Sequence, residues 1–218
     1  MAAAPFIAPT PAPNATVIPT GWRRARTGLP FALILVLIGV GGVVAAVAVV
    51  DGSHQPRSRG EGLVAAVVLA ALGVPGGLLL VVFWRQRRTR ILVDHTGLWF
   101  DKGDGRNVIP WHTLAGVGLF RSRGHKTTFH SLELYPTGPI DRDDPVLWTL
   151  VREEEPFRPG LPWLRHRLRI EAADVPLAVA AVHHYAPHLW LGESRREGGH
   201  IGRPDRAGHR ERTRARGR

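Results

Sequence analysis

Gly62–Trp84 reads GLVAAVVLAALGVPGGLLLVVFW and runs straight into Arg85, Arg87, Arg88 and Arg90. The run is apolar, broken only by glycines and Pro75, and is long enough to cross a bilayer core of about 30 Å as a helix. An arginine cluster at one end marks the end that stays in the cytoplasm. Upstream, Phe31–Val50 is also apolar throughout, which predicts a first membrane helix over 29–50 and a second over 62–84. The loop between them, 51–61, carries Arg57 and Arg59 against Asp51 and Glu61, so it is neutral. Outside the hairpin stand Arg23, Arg24 and Arg26 on one side and the four arginines after Trp84 on the other. The positive-inside rule therefore predicts a multi-pass protein of the cell membrane with both termini cytoplasmic. Trp22 and Trp84 fall at the same interface, as an aromatic belt would. We take Trp22, Arg23, Arg24, Arg26, Trp84, Arg85, Arg87, Arg88 and Arg90 as the candidate membrane-interface set, with anionic headgroups as the lipid partner. A cleaved signal peptide ending near Ala46-Val47-Ala48 is disfavoured by the long flank before the apolar run.

Within the spans, Gly41/Ala45, Gly42/Ala46, Ala66/Ala70 and Gly73/Gly77 are small residues four apart, a spacing that lets helix backbones approach closely in lipid. High Gly and Ala content alone also produces such pairs. Pro75 lacks the N–H for the helix ladder and predicts a bend over Ala71–Pro75. Neither span contains an ionisable residue, which argues against an ion or proton pathway.

The chain has 218 residues and a net charge of +11, nearly all from arginine, since Lys102 and Lys126 are the two lysines. It has no cysteine, which excludes disulfides, thiolate metal sites and cysteine nucleophiles. Residues 1–28 are Ala/Pro-rich at first and have no periodic pattern, so disorder is expected there. From Ser194 nine arginines stand against Glu197, Asp205 and Glu211, and 194–218 reads as a disordered cationic tail. That tail offers the one route by which nucleic acid or another polyanion would be a partner.

Between them, 90–191 reads as one β-rich cytoplasmic domain. Arg90–Asp94 and Leu98–Asp101 are short strands joined by Asp94-His95-Thr96-Gly97, with Gly97 assigned to a positive φ. Asp101–Gly105 is the next turn. Val108–Trp111, Leu114–Phe120, Thr127–Tyr135, Val146–Arg152 and Leu164–Glu171 follow as strands. In the last, His166, Leu168 and Ile170 alternate with Arg165, Arg167 and Arg169, the period-two pattern of a half-buried strand. Asp174 caps a helix with Pro176 in its first turn, and Val175, Val179, Val182, Ala186 and Leu189 form its apolar stripe. Trp111 reads as a core aromatic, with an exposed contact residue as the alternative.

Ile91-Leu92-Val93-Asp94, Thr96-Gly97-Leu98, Val108-Ile109-Pro110-Trp111, Leu114 and Gly116-Val117 resemble the bacterial PH-like domain, and within it the type found in a low-molecular-weight antigen. Two membrane helices before such a domain are frequent in that family. The resemblance extends over about Arg90–Phe120, with the final helix in the expected place. It implies a membrane protein with a small seven-stranded β-barrel or sandwich closed by one C-terminal helix. The fold itself carries no activity with it. Phosphoinositide-binding members carry several Lys and Arg at the first hairpin turn; here Asp94 and His95 stand there. The basic loop is instead Arg121, Arg123, His125 and Lys126, the candidate binding loop.

Catalytic signatures are absent. His184 and His188 lack the intervening Glu of a metalloprotease helix. Asp141, Asp143 and Asp144 lack the Gly and terminal Glu of a calcium loop and read as a solvated turn. Glu153, Glu154 and Glu155 read as a charged loop edge able to pair with Arg165 or Arg167. Neither a nucleophile elbow nor a phosphate loop with its Lys is present. The expectation is a non-catalytic module with no cofactor and no metal, binding an unknown protein partner or sensing the envelope.

Overall fold

The computed structural model describes residues 10–51, 59–123, 128–156, 158–196 and 204–217. The chain divides into two compact units. One comprises Gly21–Thr89; the other joins the residues up to Thr20 with Arg90–Arg218. Strand β1 (Thr16–Ile18) precedes the helical unit, which is built from α1 (Thr20–Val50) and α2 (Arg59–Gln86).

Both helices are long and apolar enough to cross a membrane. They exceed the expected spans, because α1 begins at Thr20 and takes in Trp22 to Arg26, residues expected to be disordered. Pro30 lies within α1 and Pro75 within α2, and α2 continues through it. The pair meets along small residues. A Cβ on Gly39 would lie 2.3 Å from the Gly73 Cα, and one on Gly42 2.5 Å from the Ala70 nitrogen, so hydrogen alone fits at each. Ala66 is buried at the same seam. Thus Gly42, Ala66 and Gly73 lie where close packing was expected, whereas a Cβ on Gly41 or Gly77 would meet nothing within 4 Å. The hairpin's open end is tied by the Gly21 N–H donating to the Thr89 carbonyl at 2.8 Å. The outward faces are aliphatic: Leu37, Val44, Val74 and Leu78 are all at least 60% exposed.

The second unit contains β1 and continues with β2 (Arg90–Val93), β3 (Gly97–Asp101), β4 (Arg106–Pro110), β5 (Leu114–Arg123) and β6 (Thr128–Pro136). It is completed by β7 (Val151–Glu153), β8 (Leu164–Ile170), α3 (Val175–Tyr185), β9 (Trp190–Arg196) and α4 (Arg206–Arg216). Its strands form two sheets, in the orders β1-β2-β3-β4 and β7-β8-β6-β5-β9. No strand is shared between them, so the expected closed barrel is not formed. At the crossing from β4 to β5 the chain makes a single 3-10 turn at Trp111–Thr113, after which β5 pairs with β6, with a bulge between Leu114 and Gly116. The sheets share one core: Ile91, Val93, Leu98 and Ile109 from the first, Leu119, Leu132, Leu134, Leu168 and Ile170 from the second. Val175 and Val182 of α3 join it, with Ala186 and Leu189 just beyond the helix, as the stripe predicts; Val179 is only partly buried, and Ala178, outside the stripe, is fully buried in its place. Each large aliphatic side chain buried there contributes about 1.5–3 kcal/mol.

Four further expectations are corrected. Residues 16–18 are not disordered: β1 pairs antiparallel with β2, placing Ile18 opposite Ile91 in the core. Val146–Arg152 is not a continuous strand, because Leu147–Leu150 forms a 3-10 turn before the short β7. Gly97 has no positive φ; that conformation belongs to Gly103, Gly160 and Gly192. Gly97 is required by proximity, since a Cβ there would lie 2.2 Å from the Ile109 carbonyl oxygen. The 194–218 segment contributes the end of β9, parallel to β5, and the whole of α4.

Candidate functional site

The first hairpin turn is occupied by its own acid. Asp94 is fully buried. Its carboxylate accepts from the Ala12 N–H (2.8 Å), the Thr96 N–H (2.8 Å) and hydroxyl (2.5 Å), the Gly97 N–H (3.2 Å) and the Trp99 indole N–H (2.9 Å). Burial alone would raise its pKa; these donors outweigh burial and hold it at about 2. The Asp94 carbonyl also accepts from the Trp111 indole N–H at 2.7 Å, and Trp111 is buried in the core. Asp94 is thus the tie between the N-terminal segment, the turn and two tryptophans.

The predicted interface residues divide. Trp22 and Trp84 are both exposed, and the Arg87 guanidinium lies 3.2 Å over the Trp84 ring. Arg90, placed in the same set, is partly engaged elsewhere: with Arg106 it flanks Asp101, at 3.2 and 2.7 Å. Of the predicted binding loop, Arg121 lies on β5 and pairs with Glu193 of β9 at 2.5 Å, while Arg123 ends β5. His125 and Lys126 lie outside the described residues.

Two charge clusters assemble instead. The first is buried. Arg165 donates to Glu133 (2.5 Å), to Glu154 (3.1 Å) and to the Glu154 carbonyl (2.5 Å). Arg167 adds Ser131 at 3.1 Å and Glu154 at 3.4 Å, and the Tyr135 hydroxyl donates to Glu133 at 3.0 Å. Arg165 and Glu133 are fully buried. The expected pairing of Glu154 with these arginines is present, but Arg165 and Arg167 are buried, so β8 is covered on both faces there and is half-buried only at its end, where Arg169 is exposed.

The second cluster carries α4. Asp143, read in the sequence as part of a solvated turn, has a side chain 3% exposed. It accepts from Arg212 (3.0 Å), contacts His209 Nδ1 (3.3 Å) and pairs with Arg216 (3.2 Å). Burial opposes ionisation of Asp143, and these partners overcome it, lowering its pKa. The His209 ring stacks on Trp148 at 4.1 Å and 8°. Asp205 caps α4 by accepting from the Gly208 N–H at 2.9 Å. The docked face thus uses His209, Arg212 and Arg216. Arg206, Arg210 and Arg214, four residues apart on another face, are exposed.

Between β4, the Pro136–Ile140 loop and β8 lies a cavity of about 300 Å³, lined by apolar side chains with Asp141, Asp144 and His166. Sequence reasoning missed it, because its walls come from residues 108–166. No group of three or more metal-ligating side chains is assembled among the described residues. His184 packs edge-on against Tyr185 at 4.6 Å. No family model, curated protein or solved structure matches the chain.

Proposed function

We propose that this chain is a non-catalytic, membrane-held binding module of PH-like type, which presents its two-sheet unit at the cytoplasmic face to a protein partner or an envelope signal. The observation that carries the reading is the division of the chain: a two-helix unit with aliphatic outer faces, and a separate sheet unit with its own core. Only residues 87–89 separate α2 from β2, so the tether between the membrane helix and the sheet unit is at most about 10 Å of chain. Reporter fusions at Ser53 and Arg218 test the topology: an external loop and a cytoplasmic C-terminus are expected, and a C-terminus outside the cytoplasm overturns the reading.

A second reading, a tether for nucleic acid, is favoured by one specific feature, the exposed row Arg206, Arg210 and Arg214. A helix rises about 1.5 Å per residue, so these guanidinium-bearing positions recur about every 6 Å along one face. The helix lacks an apolar face for insertion into lipid, which favours a nucleic-acid backbone over a membrane. Three neutralised phosphates give a log–log salt slope of about −3 on duplex DNA. Binding of a labelled duplex with that slope, lost in the triple Arg→Gln variant, supports this reading; salt-insensitive binding removes it.

A further inference from the structure

The cavity beside β4 has walls and a charge that define a ligand. Its apolar lining includes Ile109, Leu114, Pro136, Ile140 and Leu147, and its charged lining is Asp141 and Asp144 with no lysine or arginine. At about 300 Å³ it falls at the small end of small-molecule sites, about 300–1,000 Å³. Asp144 is rigidly placed: one carboxylate oxygen accepts from the N–H groups of Val146 (2.8 Å) and Leu147 (2.6 Å), the other from the Asn107 amide (2.5 Å). Every one of these donors is neutral. Lys102 feels the Asp144 charge but makes no ion pair with it among the described residues, and the Arg216 guanidinium reaches Asp141 only at 4.0 Å.

His166 is the independent pointer. It lines the cavity, is more than nine-tenths buried, and its Nδ1 has no hydrogen-bond partner. Burial pulls its pKa down to about 4, against the pull of Asp144 in the other direction. At neutral pH the imidazole is therefore uncharged and supplies no countercharge to the carboxylates. Asp144 is half-buried and held by neutral donors, with a neutral histidine beside it, so among the described residues the cleft's own lining sets no cation against its charge.

We propose that this cavity binds a small free amphipathic amine, its ammonium group set against Asp144 and Asp141 and its apolar body against Ile109, Leu114 and Ile140. The inference stands apart from the membrane-module reading, since it depends on the sheet unit alone. The experiment uses the full chain in non-ionic detergent at pH 7, with n-hexylamine as probe and n-hexanol as its uncharged match. Binding is read from the ¹⁵N resonances of the His166 ring and from the methyl groups of Ile109, Leu114 and Ile140. Saturable shifts confined to these groups, at an affinity at least tenfold above hexanol, are expected. Asp144→Asn keeps a side-chain acceptor for the Val146 and Leu147 N–H groups and is expected to reduce amine affinity at least tenfold with hexanol unchanged. Asp141→Asn, at an exposed position, is expected to lower it about threefold and decides the matter if Asp144→Asn fails to fold. Equal affinity for amine and alcohol, or amine binding untouched by the folded variants, overturns the site. A capped lysine peptide that binds as tightly as hexylamine overturns the small-molecule assignment.

Discussion

The two charge clusters of the sheet unit are built from the same pieces, arginines converging on carboxylates, and they have opposite consequences. In the Arg165–Glu133–Glu154–Arg167 cluster every side chain is at most 8% exposed. In the α4 cluster Asp143 is sheltered, but Arg212 is 35% and Arg216 65% exposed. Buried charges carry their desolvation cost permanently, so removal of one partner strands the other. Half-exposed charges exchange one set of water contacts for another at little net cost, and salt screens them. The first cluster therefore fixes how β6, β8 and the Glu154 segment lie together. The second holds a helix that can be let go.

The sharpest way to break this comparison is Glu133→Ala. It leaves Arg165 and the Tyr135 hydroxyl without their shared acceptor and is expected to destabilise the sheet unit by about 3–5 kcal/mol, measured by denaturant unfolding. Replacing Glu133, Glu154, Arg165 and Arg167 together by apolar residues of similar volume should cost far less. A single-variant loss below about 1 kcal/mol would show that the buried cluster behaves like a surface pair.

Acid separates the buried polar groups next. His166 protonates less readily folded than unfolded, its pKa being lowered from 6.5 to about 4. Between those values the unfolded chain binds more protons, so stability is full above pH 6.5 and falls as pH drops toward 4, by on the order of 3 kcal/mol. Asp94, lowered from 3.8 to about 2, contributes stability that is present above pH 4 and lost between 4 and 2. Discounted for solvent near the turn, this second loss is on the order of 1–2 kcal/mol. Unfolding followed from pH 7 to 2 should show both windows, and His166→Phe should remove most of the upper one, leaving the smaller part that burial of His130 contributes, with the lower one unchanged.

These assignments also mark what the sequence could disclose. The Asp94-His95-Thr96-Gly97 turn, the β8 strand and the α3 helix are local patterns, and each element stands where they place it, although Gly97 has no positive φ and the β8 alternation does not separate a buried from an exposed face at Arg165 and Arg167. The burial of the β8 arginines was only half legible, because their partners Glu133 and Glu154 lie 32 and 11 residues from Arg165. β9 was hidden by its composition: Trp190–Arg196 contains three charged residues and Gly192 with φ +93°, yet it pairs in parallel with β5 at long range. α4 has no apolar stripe at all. Its docking depends on Asp143 and Trp148, about 60 residues upstream, and composition therefore reads it as disordered. The cavity between β4 and β8 escaped for the same reason: none of its charged groups is remarkable until the fold brings Asp144 to His166.

Salt should sharpen the contrast between the clusters with a smaller effect. From 0.1 to 1 M the screening length falls from about 10 to about 3 Å. Hydrogen exchange over Arg206–Arg216 should accelerate several-fold across that range, whereas exchange in β6 and β8 should hold constant. Equal acceleration in both would mean that the α4 contact and the buried cluster open as one unit.

The smallest effect falls on Asp143→Asn. Asp143 is the common acceptor for Arg212, His209 and Arg216, so the substitution removes the charge that all three share while keeping a polar side chain of the same size. The His209–Trp148 stack then remains as the principal contact. The sheet unit's own core does not include Asp143, so its unfolding midpoint should be unchanged within error. The expected change is local: tryptic cleavage after Arg210, Arg212 and Arg214 should accelerate, and the Trp148 fluorescence should lose its dependence on salt. If Asp143→Asn instead lowers the midpoint of the whole unit, the helix is part of the folded core, and the outward row at Arg206, Arg210 and Arg214 is then presented on a fixed platform rather than a releasable one. If cleavage is unaltered, stacking on Trp148 alone retains α4, and Trp148→Ala should release it where the charge substitution did not.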